Sequence, residues 1–172
     1  MGNSIKFFTA TILQWQKLLQ PEKYKQIIVD SMKFLVENKR VWIYGFVIMP
    51  NHIHLLWRMH EGINDKDVQR DFLKFTAQQI KFDLIANHPK VLPYFKSTQS
   101  DRAFQIWERR PYSSTMYNRI VLEQKLDYIH NNPVVPKWSL VTQPENYKYS
   151  SAKFYLLNEP NYDFITHYVE HI

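Results

Sequence analysis

The sequence predicts an α+β fold of the ferredoxin-like kind: an antiparallel sheet with helices packed on one face, plus an additional C-terminal helix. Three observations predict it. Strand-like apolar runs and helical periodicity follow the order strand, helix, strand, strand, helix, strand, with one more helical stretch after them. The chain has 172 residues, 45% of them hydrophobic, which suits one domain with a sizeable core. It has no cysteine, so neither a disulfide nor a thiolate metal site contributes.

The β-rich stretch "IKFFTATIL" (5–13) reads as the first strand. Pro21 stands where a helix begins, and Tyr24, Ile27, Ile28, Ser31, Met32 and Leu35 recur at helical spacing up to about Asn38. "VWIYGFVIM" (41–49) is a continuous apolar strand, the pattern of burial on both faces. "PN" turns the chain into "HIHLLWRM" (52–59), so the two runs form a hairpin. Asn64 or Asp65 caps a helix to about Ala86. A proline-containing loop (87–101) follows, then "AFQIWERR" (103–110) as the fourth strand, with 111–119 irregular. Val121 to Asn131 is helical, with Leu122, Leu126 and Ile129 as its apolar stripe, and Pro133 stops it. One domain therefore runs through residue 157. Residues 158–172 form a tail with three acids and no Lys or Arg.

The tail makes the charge uneven. Over residues 1–157, 22 Lys and Arg stand against 13 acids, a net of +9. A basic, aromatic-rich body favours a polyanion, nucleic acid above all. No segment is apolar enough to span a membrane: the longest candidate, Val41 to Trp57, includes Asn51, His52 and His54. The N-terminus lacks the pattern of a signal peptide, and the absence of cysteine suits a reducing compartment, so the expected location is cytoplasmic.

Two short stretches carry chemistry. In "MPNHIHLLW" (49–57), His52 and His54 are two apart on a strand and share a face, with Ile53, Leu55 and Trp57 on the other. Adjacent imidazoles can hold one divalent cation. A hydrogen-bonded pair is the plainer alternative, and the spacing does not choose between them. The pattern is neither the HxHxH of a histidine-triad hydrolase nor the paired HxT of a two-histidine phosphodiesterase. In "KLDYIHNNPV" (125–134), Tyr128 and Asn132 lie one turn apart, off the Leu122–Leu126–Ile129 stripe. The amide oxygen of Asn132 is a hard donor suited to Mg²⁺ or Mn²⁺. His130 points to another face of the same helix.

Together with "PENYKYSSAKFY" (144–155), these stretches resemble the REP-associated tyrosine transposases, a branch of the single-tyrosine HUH transposases. The resemblance covers roughly residues 5 to 155 and implies a ferredoxin-like fold. His52 and His54 match the His-hydrophobic-His pair, Tyr128 the nucleophile, and Asn132 the third metal ligand. A departure follows the helix, where "NPVVPKWSLV" puts Pro136 in a stretch the family often writes "NPVKAGLV".

The resemblance implies cleavage of single-stranded DNA beside a hairpin, dependent on Mg²⁺ or Mn²⁺. Tyr128 would take a 5′-phosphate and leave a free 3′-hydroxyl, and rejoining would need no ATP. A free phenol ionises near pH 10, so something must assist it. Arg102, Arg109, Arg110 and Arg119, with Lys96, are expected to hold DNA phosphates, and Trp107 and Tyr112 to stack on bases. Tyr112 and Tyr117 are rival nucleophiles without a polar partner one turn on. Two other readings stand beside this one: a domesticated hairpin binder that cuts nothing, and a hydrolase that uses water. The protein would act as a monomer or homodimer.

Overall fold

The computed structural model describes residues 3–172. Strand β1 (Lys6–Thr11) leads through a single turn, Leu13–Trp15, to helix α1 (Glu22–Glu37). Strands β2 (Val41–Ile48) and β3 (His52–Met59) form the expected hairpin. Helix α2 (Asp65–Asn87) is capped by Asn64, whose side chain accepts from the Asp67 amide. Strand β4 (Tyr112–Thr115), helix α3 (Arg119–Asn131) and the short α4 (Ala152–Leu156) follow, and a single turn, Tyr168–Glu170, lies near the end. The sheet order is β2-β3-β1-β4, with every pair antiparallel. That is the ferredoxin-like plan.

The fourth strand is not where the apolar pattern of 103–110 puts it. Ile106 and Trp107 are buried, and Trp107 touches the sheet margin through a single bridge to Ile12. The ladder with β1 resumes at Tyr112↔Thr9. Between them Arg110 adopts a left-handed φ of 58°, and Pro111 offers no amide to a ladder. The apolar side chains of 103–110 serve packing, and the polar "YSST" serves the sheet edge.

Two cores flank the sheet. Ile53, Leu55, Trp57 and Met59 of β3 face α1 and α2 in the larger one. Leu56 faces the opposite side, where Leu122, Leu126 and Ile129 of α3 close a second core. Strand β2 contributes to both by a register shift between Ile43 and Gly45, so that Val41, Ile43, Phe46 and Ile48 all reach the first core. Gly45 sets how near α3 comes: a Cβ there would lie 2.6 Å from Leu126 Cδ1. Close approach of α3 brings Tyr128 and Asn132 over the histidines of β3.

The outer edge of β2 is covered by later chain. Ile48 donates to the Tyr149 carbonyl, Ser151 donates to the Phe46 carbonyl, and Thr166 donates to the Ile43 carbonyl. Phe164, Ile165 and Tyr168 of the acidic tail are buried. Among the described residues, no helix is long and apolar enough to cross a membrane.

Candidate active site

The β3 histidines sit on the face that α3 covers, so they are buried rather than solvated: His52 is 7% exposed and His54 5%. Their ring centroids are 4.7 Å apart. Strand register places Thr9 of β1 directly opposite His54, and Thr9 Oγ1 lies 2.7 Å from His54 Nδ1. His52 Nδ1 lies 2.7 Å from Asn51 Oδ1. An amide oxygen only accepts, so Nδ1 of His52 carries the proton and Nε2 presents its lone pair.

Both rings are neutral near pH 7. Burial pushes the His52 imidazolium down to about 4 and His54 to about 3, the latter helped by the charges of His52 and Lys125. Neutral imidazole is the ligand form. His54 Nε2 is buried and has no hydrogen-bond partner among the described residues. Asn132 Oδ1 lies 3.2 Å from His52 Nε2, so two acceptors face each other. An orphaned nitrogen beside two opposed acceptors is what a cation would satisfy. A donor set of two neutral imidazoles and one amide oxygen suits a divalent cation, and Asn51 and Thr9 hold the two rings in place. Among the described residues there is no cluster of three His, Cys, Asp or Glu able to hold a metal, so a third donor beside the two histidines would have to be the Asn132 amide.

Tyr128 stands at the mouth of this site. It is 51% exposed, and its ring centroid lies 5.3 Å from that of His54. Phe7, stacked on His54 at 5.2 Å, meets the Tyr128 ring edge-on at 6.2 Å. Lys125, one turn earlier on α3, puts its Nζ 4.7 Å from the centre of Phe7 and 5.6 Å from that of Tyr128. An open cleft of about 570 Å³ joins Tyr128, His52, His54 and Asn132 to Trp15, Lys137 and Trp138.

The structure brings together four of the residues expected from sequence: His52, His54, Tyr128 and Asn132. His130 faces away, with Nε2 2.7 Å from Ser151 Oγ, and burial pushes it down to about 4. The expected phosphate contacts divide. Arg102, Arg109 and Arg110 line a separate groove of about 760 Å³ along α2, with Lys66, Arg70, Lys74 and Lys81. Lys96 lies outside that groove, and Arg119 pairs with Glu123 on α3. Trp107 does not offer a stacking face: it is buried, and its indole N–H donates to Thr76. Tyr112 and Tyr117 are exposed.

Four residues escaped the sequence reading. Asn51 and Lys125 sit inside the informative stretches and could have been found by spacing, since Lys125 is three before Tyr128. Thr9 emerges from strand register alone. Trp15 sits in a turn that no periodicity marks.

No protein-family model matches the chain. A REP-associated tyrosine transposase from Haemophilus influenzae is 34% identical over 161 residues, covering 88% of this chain and 85% of that protein. The solved structure of a REP-associated tyrosine transposase bound to a REP hairpin superposes with a TM-score of 0.66 at 17% identity, over 96% of this chain and 84% of that one. A transposase structure from Deinococcus radiodurans aligns at a TM-score of 0.47 and 14% identity, over 74% of this chain and 90% of that one.

Proposed function

Because this chain belongs to the REP-associated tyrosine transposases, we propose that it cuts and rejoins single-stranded DNA beside a hairpin, with Tyr128 as the nucleophile. The observation that carries this reading is the half-exposed Tyr128 ring 5.3 Å from the buried His54 ring, with Asn132 one helical turn on.

The chemistry assigned to each residue follows from its surroundings. Tyr128 Oη attacks the phosphorus, and its proton leaves to solvent through the open cleft. The new Tyr–O–P bond forms as the 3′-oxygen departs and takes up a proton. The 5′-phosphotyrosine keeps the energy of the phosphodiester, so a 3′-hydroxyl can attack it, restore a DNA backbone and release Tyr128. Lys125 brings a positive charge to the phenol and offsets the charge that develops on Oη. His52, His54 and Asn132 would hold Mg²⁺ or Mn²⁺, which as a Lewis acid polarises a phosphoryl oxygen. Thr9 and Asn51 keep the imidazoles oriented, and burial keeps them neutral. Along α2, the groove of Arg102, Arg109 and Arg110 would track DNA phosphates. The proposed enzyme is cytoplasmic and acts as a monomer or homodimer.

The test is a labelled single strand carrying a hairpin, incubated with Mg²⁺ or Mn²⁺ and run on a denaturing gel. Wild type should yield a protein–DNA adduct. Tyr128→Phe, which keeps the ring, should yield neither adduct nor cleavage while still binding the hairpin. An adduct in the Phe variant would move the role to Tyr112 or Tyr117. Hairpin binding without cleavage by wild type would make the protein a non-catalytic binder, and cleavage without an adduct would make it a water-using hydrolase.

A further inference from the structure

We infer that Trp15 is a base-stacking seat for an unpaired nucleotide beside the cut phosphate, held in register with the site by Asn51. The inference rests on the reading of this cleft as a single-strand DNA site.

Three observations converge on it. First, Trp15 is 61% exposed, and its indole lies edge-on to the His52 ring with centroids 6.5 Å apart. A large apolar ring left in water at the rim of the cleft is available to stack. Second, the backbone beneath it is strained. Gln14 and Trp15 both adopt left-handed conformations, with φ of 56° and 57°. Side chains with a Cβ avoid that region, and strain of this kind gathers at functional sites.

The turn persists because it is pinned from several sides. Gln14 N–H donates to Glu108 Oε1 at 2.6 Å, Trp15 N–H to the Ile12 carbonyl at 2.9 Å, and Gln16 Nε2 to the Tyr94 carbonyl at 2.9 Å. Third, Asn51 Nδ2 donates to the Trp15 carbonyl at 3.2 Å while its Oδ1 accepts from His52 Nδ1 at 2.7 Å. One amide therefore fixes both the indole's backbone and the imidazole.

The neighbourhood has the composition of a single-strand platform. Trp138 lies 6.0 Å from His52, and Lys17 and Lys137 approach the Trp138 ring at 5.7 and 5.9 Å. Aromatic faces with interleaved cations suit bases and phosphates without regard to sequence. Trp15 would act as a positioning residue, aligning the strand with Tyr128.

The experiment is equilibrium binding by fluorescence anisotropy in EDTA, where cleavage plays no part. Two DNAs are compared: a hairpin with a single-stranded flank, and the same hairpin without one. Trp15→Ala should weaken binding of the flanked DNA roughly five- to 150-fold, the loss of one base–aromatic stack. The blunt hairpin should be unaffected. Trp15→Phe should restore most of the loss. One abasic nucleotide in the flank should weaken wild type and leave Trp15→Ala unmoved. Thermal melting confirms that the variants fold. Equal affinities of wild type and Trp15→Ala for the flanked DNA would overturn the inference while leaving the Tyr128 reading intact, since the adduct gel tests that reading separately. If neither DNA binds wild type, both readings fail.

Discussion

His52 Nε2 and Asn132 Oδ1 stand 3.2 Å apart across the β3–α3 interface, and neither brings a proton to the contact. An amide turned end for end would donate to the ring and block it. His54, whose Nε2 has no hydrogen-bond partner among the described residues, lines the same cleft. Removing either imidazole should abolish Mn²⁺ binding in calorimetric titration. Asn51→Ala, which frees the His52 ring to turn, should weaken it roughly ten- to 100-fold. Unchanged affinity in both His52→Ala and His54→Ala would end the metal assignment.

Lys125 is expected to matter for rate more than for binding. Lys125→Gln keeps much of the side chain's packing over Phe7 but removes the charge near the phenol. Single-turnover cleavage should slow by roughly ten- to 100-fold, somewhat less than the loss of one direct transition-state donor. Hairpin affinity should change little. A rate equal to wild type would show that Lys125 takes no part in the cleavage step.

The cationic residues named from sequence should separate by position. Arg109 and Arg110 line the α2 groove, so their joint replacement by Ala should flatten the log–log salt dependence of hairpin binding by roughly one to two units. Arg119 is engaged with Glu123 outside that groove, and Arg119→Ala should leave the slope unchanged. The opposite pattern would move the DNA track to α3.

A stability prediction comes from the clamp between α1 and α2. Asp83 accepts from Lys23 at 2.7 Å, Tyr24 at 2.6 Å and Asn87 at 2.8 Å. These bonds, Lys23 first, pull its carboxyl from 3.8 down to about 2. A depressed carboxylate stabilises the fold above its unfolded pKa, and that contribution fades as pH falls from about 4 through about 2. The partly exposed site limits the effect to roughly 1 kcal/mol. Urea midpoints measured across that window should fall with acidity in wild type and less so in Asp83→Asn. Parallel curves would show that the clamp contributes nothing.

The hairpin, the two long helices and the histidine pair were legible because each rests on local pattern. "VWIYGFVIM" can hardly be anything but a buried strand, and His-Ile-His puts both rings on one face. What lies on that face was not legible. The alternation of "HIHLLWRM" suggests one polar side, yet α3 crosses it and buries both rings, a tertiary fact set by Gly45 and Leu126. The fourth strand failed for a related reason. Apolar content marks 103–110, whereas the ladder needs only backbone and took the polar "YSST" beyond Pro111. Trp107 goes with it, since its packing on α2 depends on where that segment docks.

The cover on β2 has a consequence for how the chain is made. Phe46 meets its partner Ser151 across 105 residues of sequence. At translation speeds of roughly 5 to 20 residues per second, the interval between the two is about 5 to 20 s. Throughout it, an uncharged eight-residue strand, VWIYGFVI, stands with one edge unsealed beside other nascent chains. The later-made segment thus acts as a closing seam. A chain ended at residue 157 keeps Ser151 but loses Ile165 and Thr166, reopening the edge at Ile43. It should sediment as aggregate on expression where the full chain stays dispersed; equal dispersal of the two would show that the seam is dispensable.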